Sequence, residues 1–139
     1  MKIDAIQNGI VIDHITAGKG MEIYNLLKLH KVDCNVALLM NAASEKMGKK
    51  DIIKISGDVH LDMDALGYVD PNATVAVIRD GKVAEKRNLA LPKKLTNVIK
   101  CKNPRCITTT EQELAHVFML TDPEKRVYRC LYCETQASK

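Results

Sequence analysis

CKNPRCITTTEQELAHVFMLTDPEKRVYRCLYC, residues 101–133, carries four of the five cysteines of this 139-residue chain. They form two close pairs, Cys101-x4-Cys106 and Cys130-x2-Cys133, with 23 residues between the pairs. Each pair fits a tight knuckle turn that directs two sulfurs at one point, and two knuckles complete the tetrahedron that Zn²⁺ accepts. Because four thiolates fill the coordination sphere, the spacing predicts a structural metal with no open position for water or substrate.

The segment that carries these cysteines is short for an independent fold. About 45 residues with few large apolar side chains bury too little surface to be stable alone, so metal binding would be coupled to folding. Two disulfides are an alternative, which the absence of a secretory segment disfavours. Iron in a rubredoxin-like site is another, because tetrahedral thiolate sites suit both metals. We expect one structural Zn²⁺ per chain, and Cys34 is interpreted as a small core residue.

The composition is that of an ordered globular protein, with 46% apolar and 27% charged residues. The net charge of +4 comes from the last third: residues 1–92 carry 12 Lys/Arg and 12 Asp/Glu, and residues 93–139 carry 9 and 5. Four thiolates on one Zn²⁺ would add about −2 and leave about +2. This weak field and the few aromatic residues (four Tyr, one Phe, no Trp) disfavour nucleic-acid binding.

No stretch of the sequence is apolar enough to cross a bilayer. The longest uninterrupted apolar run is Val36–Met40, whereas a spanning helix needs about 20 such residues. The N-terminus is polar from Lys2 onward and has no targeting segment. We therefore expect a soluble, cytoplasmic protein that does not bind membranes.

Two stretches before residue 91 have helical patterns. Apolar residues between positions 21 and 31 recur at i, i+3, i+4 and i+7, which predicts one helix there. A second, short helix is predicted from about Asp62, because acidic residues favour a helix N-terminus, to Val69, because Pro71 disfavours its continuation.

The remaining apolar runs in this part of the chain predict strands. Asn8-Gly9 and Asp80-Gly81 are dipeptides typical of tight turns, and each predicts a hairpin. The polar stretch 41–49 is interpreted as a loop. The predicted strands are 3–6, 10–15, 34–40, 50–55, 73–79 and 82–86. Strands and helices together predict an α+β sandwich.

The composition changes at LPKK, residues 91–94. Proline and paired lysines suit an exposed connection, and the clustered cysteines all lie beyond it. We expect two domains, residues 1–92 and 93–139.

Five motifs occur in a specific order: IDAIQNGIVIDHI (3–15), MGKKDIIKI (47–55), PNATVAVI (71–78), CKNPRC (101–106) and CLYC (130–133). In this combination they resemble the regulatory chain of aspartate carbamoyltransferase, over essentially the whole chain. The resemblance implies a non-catalytic subunit in pyrimidine biosynthesis. It implies a ferredoxin-like antiparallel sheet with two helices in the first domain and a small rubredoxin-like, zinc-bound β domain after it.

The resemblance also implies ligands and partners. The first domain would bind nucleoside triphosphates, CTP and UTP as inhibitors and ATP as activator, and the second would contact the catalytic chain. Regulatory chains of that family form homodimers within a dodecamer of six catalytic and six regulatory chains. The implied nucleotide-binding residues are Asp4, Ala5, Ile6, Val11, Asp13, His14, Lys54, Ile78, Val83 and Lys86.

The residue types of this implied site suit a nucleotide. The resemblance implies that Asp13 binds the ribose, Lys54 the base and sugar, His14 and Lys86 the phosphates, and Ile6, Ile78 and Val83 the ring. Cations and a carboxylate are the groups that triphosphate oxygens and ribose hydroxyls require. The sequence has no Gly-rich phosphate loop, so binding would be by side chains of a sheet face.

Three further positions follow from the resemblance. Asn103 matches a position that contacts the catalytic chain, although Asn also simply suits a knuckle turn. Ala76 and Gly81 stand where better-known members carry an Asn and a Tyr in the base pocket, which leaves effector selectivity open. Asn41 lies near the place where a second nucleotide binds across the dimer.

Two other functions remain open at this point. One is a nucleic-acid-binding zinc-ribbon protein, and the other is an enzyme or electron carrier, which requires an open metal site or iron. Asp13-His14 looks like half of a catalytic dyad, but neighbours on a regular strand face opposite sides of the sheet. The basic residues that motivate the first alternative are Lys93, Lys94, Lys100, Lys102, Arg105, Arg126 and Arg129.

Overall fold

A computed structural model of the chain describes residues 7–111 and 113–137. The chain divides into two compact units between Ala90 and Leu91. None of the helices in the described ranges is long and apolar enough to span a membrane.

The first unit is built on a five-stranded antiparallel sheet in the order β2-β3-β1-β4-β5. With a helix after β1 and another after β3, the first four strands have the split β-α-β arrangement of ferredoxin-like folds, and β5 extends one edge. This confirms the α+β prediction. The strands are β1 (Gly9–Thr16), β2 (Asn35–Ser44), β3 (Gly48–Ser56), β4 (Thr74–Arg79) and β5 (Lys82–Asn88).

Two short helices connect these strands. The second, α2 (Met63–Val69), is capped by Asp62, whose carboxylate accepts the N–H groups of Asp64 and Ala65. The first, α1 (Gly20–Leu26), ends earlier than predicted because Lys28 adopts a left-handed conformation with φ of 54°. A 3-10 turn, Leu29–Lys31, then completes the predicted helical region.

The strand predictions hold for β3, β4 and β5. They need correction between β2 and β3. The predicted loop 41–49 is wrong: β2 runs to Ser44 and β3 begins at Gly48, which leaves only a three-residue turn. Polar residues are tolerated there because β2 is an edge strand with little burial. The predicted Asn8-Gly9 hairpin would join residues 3–6 to β1, but residues 3–6 lie outside the described residues. Strand β1 itself pairs with β3 along one edge and with β4 along the other.

One face of the sheet is buried against the two helices, and the other, which no described helix covers, is called the open face. The isoleucines that point toward the helices are fully or almost fully buried, among them Ile12 of β1 and Ile53 of β3. They pack with Ile23 of α1 and Leu66 of α2, which supplies hydrophobic stabilisation of about 2 kcal/mol for each buried side chain. The alternate residues of the same strands therefore line the open face.

The second unit is a small three-stranded sheet with one helical turn. Its core rests on three large buried side chains, Leu95, Phe118 and Tyr128. The Tyr128 hydroxyl donates a hydrogen bond to the carbonyl of Pro92. Such a small core agrees with the expected need for a staple. The elements are β6 (Lys94–Thr96), α3 (Ile107–Thr110), β7 (Val117–Asp122) and β8 (Val127–Cys130), with sheet order β6-β7-β8.

Candidate functional site

The four cysteines of the second unit converge on one point. All four sulfurs lie within 4.8 Å of one another. The Cys101 and Cys133 sulfurs are 3.5 Å apart, and the Cys106 and Cys130 sulfurs are 3.7 Å apart. A tetrahedron with metal–sulfur bonds of about 2.3 Å has edges of about 3.8 Å, whereas a disulfide needs about 2.05 Å. The cysteines are free thiols, so the disulfide alternative is wrong and the cluster fits a metal ion.

Each pair of cysteines lies on a turn that offers backbone N–H groups to the sulfurs. Cys106 is the N-cap of α3, and Cys130 ends β8. The residue two positions after each cysteine directs its N–H at that sulfur, which gives every sulfur a fixed donor. The donors are Asn103 to Cys101, Thr108 to Cys106, Tyr132 to Cys130 and Thr135 to Cys133, and Cys130 also accepts the N–H of Cys133.

The four thiols experience different environments. Burial raises the pKa of Cys101 to about 12 and also raises the pKa of Cys130. The Thr135 side chain lowers the pKa of Cys133 to about 6, and the Thr108 side chain lowers that of Cys106. Four thiolates this close repel one another, so the cluster can be fully ionised only around a cation.

Asn103 shapes the first knuckle turn. Its side-chain oxygen accepts the N–H of Arg105 at 3.0 Å, and its side-chain nitrogen lies 3.5 Å from the Thr135 hydroxyl oxygen. The side chain therefore links the loop of the first cysteine pair to the residue that follows the second pair. This is the turn-forming role that the sequence left open for Asn103.

The open face of the first unit carries a row of residues across four strands. Lys54 of β3 pairs with Val11 of β1, Val11 pairs with Ala76 of β4, and Ala76 pairs with Lys86 of β5. Directly paired residues in an antiparallel sheet point to the same face. The row therefore has one lysine at each end, Lys54 and Lys86, with the small apolar strip of Val11 and Ala76 between them.

A second apolar pair lies beside this row. Ile78 is two residues after Ala76 and so faces the same side, and it pairs with Val83 of β5. Val83 is 60% exposed, whereas Ile78 is buried. The turn between them contains Gly81, whose φ of 76° favours glycine.

A charged cluster borders the row at the end of β1. The Asp13 carboxylate accepts the N–H of His14 at 2.6 Å and lies 3.0 Å from the Lys50 ammonium. His14 has φ of 57°, and the strand register shifts here. The His14 Nδ1 atom lies 3.1 Å from the hydroxyl oxygen of Thr74, which pairs with Asp13. The expectation that Asp13 and His14 face opposite sides is therefore wrong, because the irregular backbone turns both toward one face.

Asp13 is held in its charged form. Burial alone would raise its pKa, but the hydrogen bond from His14 and the Lys50 ammonium outweigh burial and bring the pKa below the usual value of 3.8. Among the described residues, the site thus presents the Asp13 carboxylate beside Lys50, Lys54, Lys86 and His14.

The structure gathers most of the sequence-predicted residues on this face. Asp4, Ala5 and Ile6 lie outside the described residues. Lys50 and Thr74 belong to the cluster but were missed. Strand alternation could have found Lys50, since it shares a face with Lys54 four residues later. The residues brought together are Val11, Asp13, His14, Lys54, Ile78, Val83 and Lys86.

Two family models match the chain and together cover almost all of it. The family described as aspartate carbamoyltransferase regulatory chain, allosteric domain, matches residues 1–90. The family described as aspartate carbamoyltransferase regulatory chain, metal binding domain, matches residues 93–139.

Curated relatives match over nearly their full length. The aspartate carbamoyltransferase regulatory chain of Clostridium tetani is 52% identical over 96% of this chain and 94% of its own length. That of Clostridium acetobutylicum is 51% identical, covering 96% and 92%. That of Bifidobacterium longum is 45% identical, covering 99% of both. The family models and these relatives agree with the two-unit fold and the cysteine cluster, and the chain therefore belongs to the aspartate carbamoyltransferase regulatory chain family.

Proposed function

We propose that this chain senses nucleoside triphosphates on the open sheet face of residues 1–92 and transmits their binding to a catalytic chain through a zinc domain, residues 93–139. As a member of the regulatory-chain family it is a non-catalytic subunit, with the catalytic chain of aspartate carbamoyltransferase as its partner. CTP and UTP would inhibit and ATP would activate. Homodimers of this chain would join catalytic chains in a cytoplasmic dodecamer of six catalytic and six regulatory chains.

The observation that carries the nucleotide proposal is the row from Lys54 to Lys86 with the Asp13 cluster at its side. A triphosphate needs several cations, and Lys86 and His14 would provide them. Asp13, already ionised, would accept the ribose hydroxyl protons. Asp4, Ala5 and Ile6 complete the proposed site.

The apolar strip would hold the base. Val11, Ile78 and Val83 supply apolar side chains on this face, of the kind that line nucleotide-base pockets. Ala76 and Gly81 leave the base without polar side chains at those two positions, so backbone groups would read its edge. This predicts weaker discrimination between CTP and ATP than larger polar side chains would provide.

We assign the cysteine cluster to one structural Zn²⁺. Cys101, Cys106, Cys130 and Cys133 offer four thiolates and leave no position for water, so the ion would hold the fold together and do no chemistry on a substrate. Metal analysis of the purified chain distinguishes zinc from iron, which gives a coloured protein.

The surface around the cluster suits docking of the catalytic chain. Three large apolar side chains there are about half exposed: Ile107 at 48%, Leu131 at 52% and Tyr132 at 46%. Each lies next to a cysteine in the sequence, and Asn103 is half-buried in the first knuckle. Apolar and aromatic side chains beside polar groups are typical of an interface core. Removal of zinc would disorder this surface and release the partner.

Regulation then follows from linkage between the two binding sites. An effector that binds one quaternary state more tightly shifts the equilibrium toward that state, and the coupling free energy is typically about 1–3 kcal/mol. By the same linkage, a substrate analogue on the catalytic chain would change the affinity of this chain for CTP.

Titration calorimetry of the complex with CTP and with ATP tests the sensing function. Lys86→Ala should weaken binding about tenfold or more, because a phosphate would lose a charged donor. The matched control is Lys82→Ala, which removes the same charge from the same strand but pairs with Arg79 and not with the row. For Lys54→Ala the control is Lys49→Ala. Absence of nucleotide heat in the wild-type complex, or equal losses in variant and control, would contradict the proposal.

A further inference from the structure

Both cysteine pairs end in the same short pattern. Thr108 follows Cys106 by two positions, and Thr135 follows Cys133 by two positions. The Thr108 hydroxyl oxygen lies 3.1 Å from the Cys106 sulfur, and the Thr135 hydroxyl oxygen lies 3.2 Å from the Cys133 sulfur. The second cysteine of each pair therefore has a hydroxyl beside its sulfur in addition to a backbone N–H.

The burial of Thr108 makes this contact specific. Thr108 is 2% exposed and is one of three buried polar or charged residues in the described part of the chain. A buried hydroxyl costs free energy unless it has a hydrogen-bond partner. The Cys106 sulfur provides that partner.

The direction of these hydrogen bonds is fixed when a metal is bound. As a thiol, Cys133 donates to the Thr135 hydroxyl. A metal-bound cysteine is a thiolate and has no hydrogen to donate, so the hydroxyl becomes the donor. Four thiolates around one divalent cation leave a net charge of about −2 in a largely buried cluster. Hydroxyl donors disperse part of that charge at two of the four sulfurs.

Thr135 has a second contact that orients it. The Asn103 side-chain nitrogen lies 3.5 Å from the Thr135 oxygen and can only donate to it. The Thr135 hydrogen is then free to point at the Cys133 sulfur. This arrangement connects the loop of the first cysteine pair to a sulfur of the second pair.

We infer that Thr108 and Thr135 are positioning residues that retain the metal ion, by donating hydroxyl hydrogen bonds to the thiolates of Cys106 and Cys133. The inference rests on the proposed zinc function of the cluster. Outer-shell partners of metal ligands typically contribute 10–100-fold to metal affinity. Loss of either hydroxyl should weaken zinc binding within this range and accelerate zinc release to a chelator.

Neighbouring threonines provide a matched control. Thr109 and Thr110 lie on the same helical turn as Thr108, but their hydroxyls donate to backbone carbonyls and not to sulfur. Thr110 is exposed, and its hydroxyl donates to the carbonyl of Ile107 at 3.1 Å. Thr110→Val therefore removes a hydroxyl of α3 without changing the sulfur environment.

The experiment compares the zinc-loaded full chain with Thr108→Val, Thr135→Val and Thr110→Val. Valine keeps the shape of threonine and replaces the hydroxyl by a methyl group, which cannot donate to sulfur. Competition with a chromophoric chelator gives the zinc affinity and the release rate. We expect the zinc affinity of Thr108→Val and of Thr135→Val to fall at least tenfold. Thr110→Val should match the wild type. Thr108→Ser keeps the hydroxyl and should therefore retain zinc as the wild type does.

Cobalt substitution separates this role from a purely structural one. Hydrogen bonds lower the energy of sulfur lone pairs, so their loss should move the thiolate-to-cobalt absorption band to longer wavelength. A wild-type chain without stoichiometric metal would overturn the zinc function itself. A wild-type chain that holds zinc, together with Val variants of unchanged affinity, release rate and cobalt spectrum, would overturn only the role of the hydroxyls.

Discussion

The Lys50 ammonium lies 3.0 Å from the Asp13 carboxylate and joins β3 to the irregular end of β1 on the open face of the sheet. Its neighbour Asp51 faces the opposite side and is completely buried. There the Asp51 carboxylate accepts the N–H groups of Gly18, Gly20 and Asn41 at 2.9–3.1 Å. Two successive residues of one strand thus fix the proposed effector site on one face and the start of α1 and the edge strand on the other.

Replacement of Asp13 tests the charged cluster. Because the folded-state pKa of Asp13 is lowered, its ionised form stabilises the fold above the unfolded pKa of 3.8, and this stability is lost as the pH falls through the folded value. Asp13→Asn should therefore reduce the free energy of unfolding by about 1 kcal/mol at neutral pH. The difference from the wild type should shrink toward zero as the pH falls through the folded-state pKa of Asp13.

Amide hydrogen exchange in β1 measures the difference in the free energy of unfolding between the wild type and Asp13→Asn. The ratio of the two exchange rates at each pH cancels the intrinsic exchange rate of the amide, which itself depends on pH. Asp33→Asn is a control, because Asp33 is exposed and makes no ion pair among the described residues. A difference between wild type and Asp13→Asn that grows as the pH falls would contradict the assignment.

Replacement of Asp51 should be much more harmful. Asn keeps one side-chain oxygen but introduces an NH₂ group that faces backbone N–H donors, so at least one buried donor loses its acceptor. We expect Asp51→Asn to lower the free energy of unfolding by about 3 kcal/mol. Urea unfolding of the full chain measures it.

Asp58 offers a matched comparison for Asp51. Its side chain is 80% exposed and pairs with Arg79 on the surface, and exposed ion pairs contribute little to stability. Asp58→Asn should therefore leave the urea midpoint almost unchanged. Equal effects of the two substitutions would show that the buried carboxylate does not organise the loop before α1 and the irregularity at Asn41.

The parts of the site that the sequence predicted depend on local spacing. Two cysteines four residues apart and two cysteines two residues apart define knuckles by themselves, so Cys101, Cys106, Cys130 and Cys133 could be assigned together before their sulfurs were seen to converge. Likewise, the acidic turn at Asp62 predicted where α2 begins. Neither inference needed knowledge of which strands pair.

The parts that the sequence missed depend on irregular backbone and on pairing across the sheet. His14 and Asn41 both have positive φ and interrupt the register of their strands, and neither is a glycine that would have signalled this. Strand alternation therefore placed His14 on the wrong face. The row of Lys54, Val11, Ala76 and Lys86 could be found only from the strand order, because residues that pair across the sheet, such as Val11 and Ala76, are far apart along the chain.

Replacement of a cluster cysteine tests whether the metal folds the second unit. Cys106→Ser should lose the metal, because serine is not a thiolate ligand. Structural zinc sites contribute about 10–16 kcal/mol in small domains, which exceeds what a core of Leu95, Phe118 and Tyr128 could replace. Hydrogen exchange should then show loss of protection in β6, β7 and β8, while β1, β3 and β4 remain protected.

Cys34→Ser is the control, since Cys34 lies in the first unit outside the cluster. It should keep one equivalent of metal, and full protection of β7 in metal-free Cys106→Ser would contradict the role of the ion as a staple.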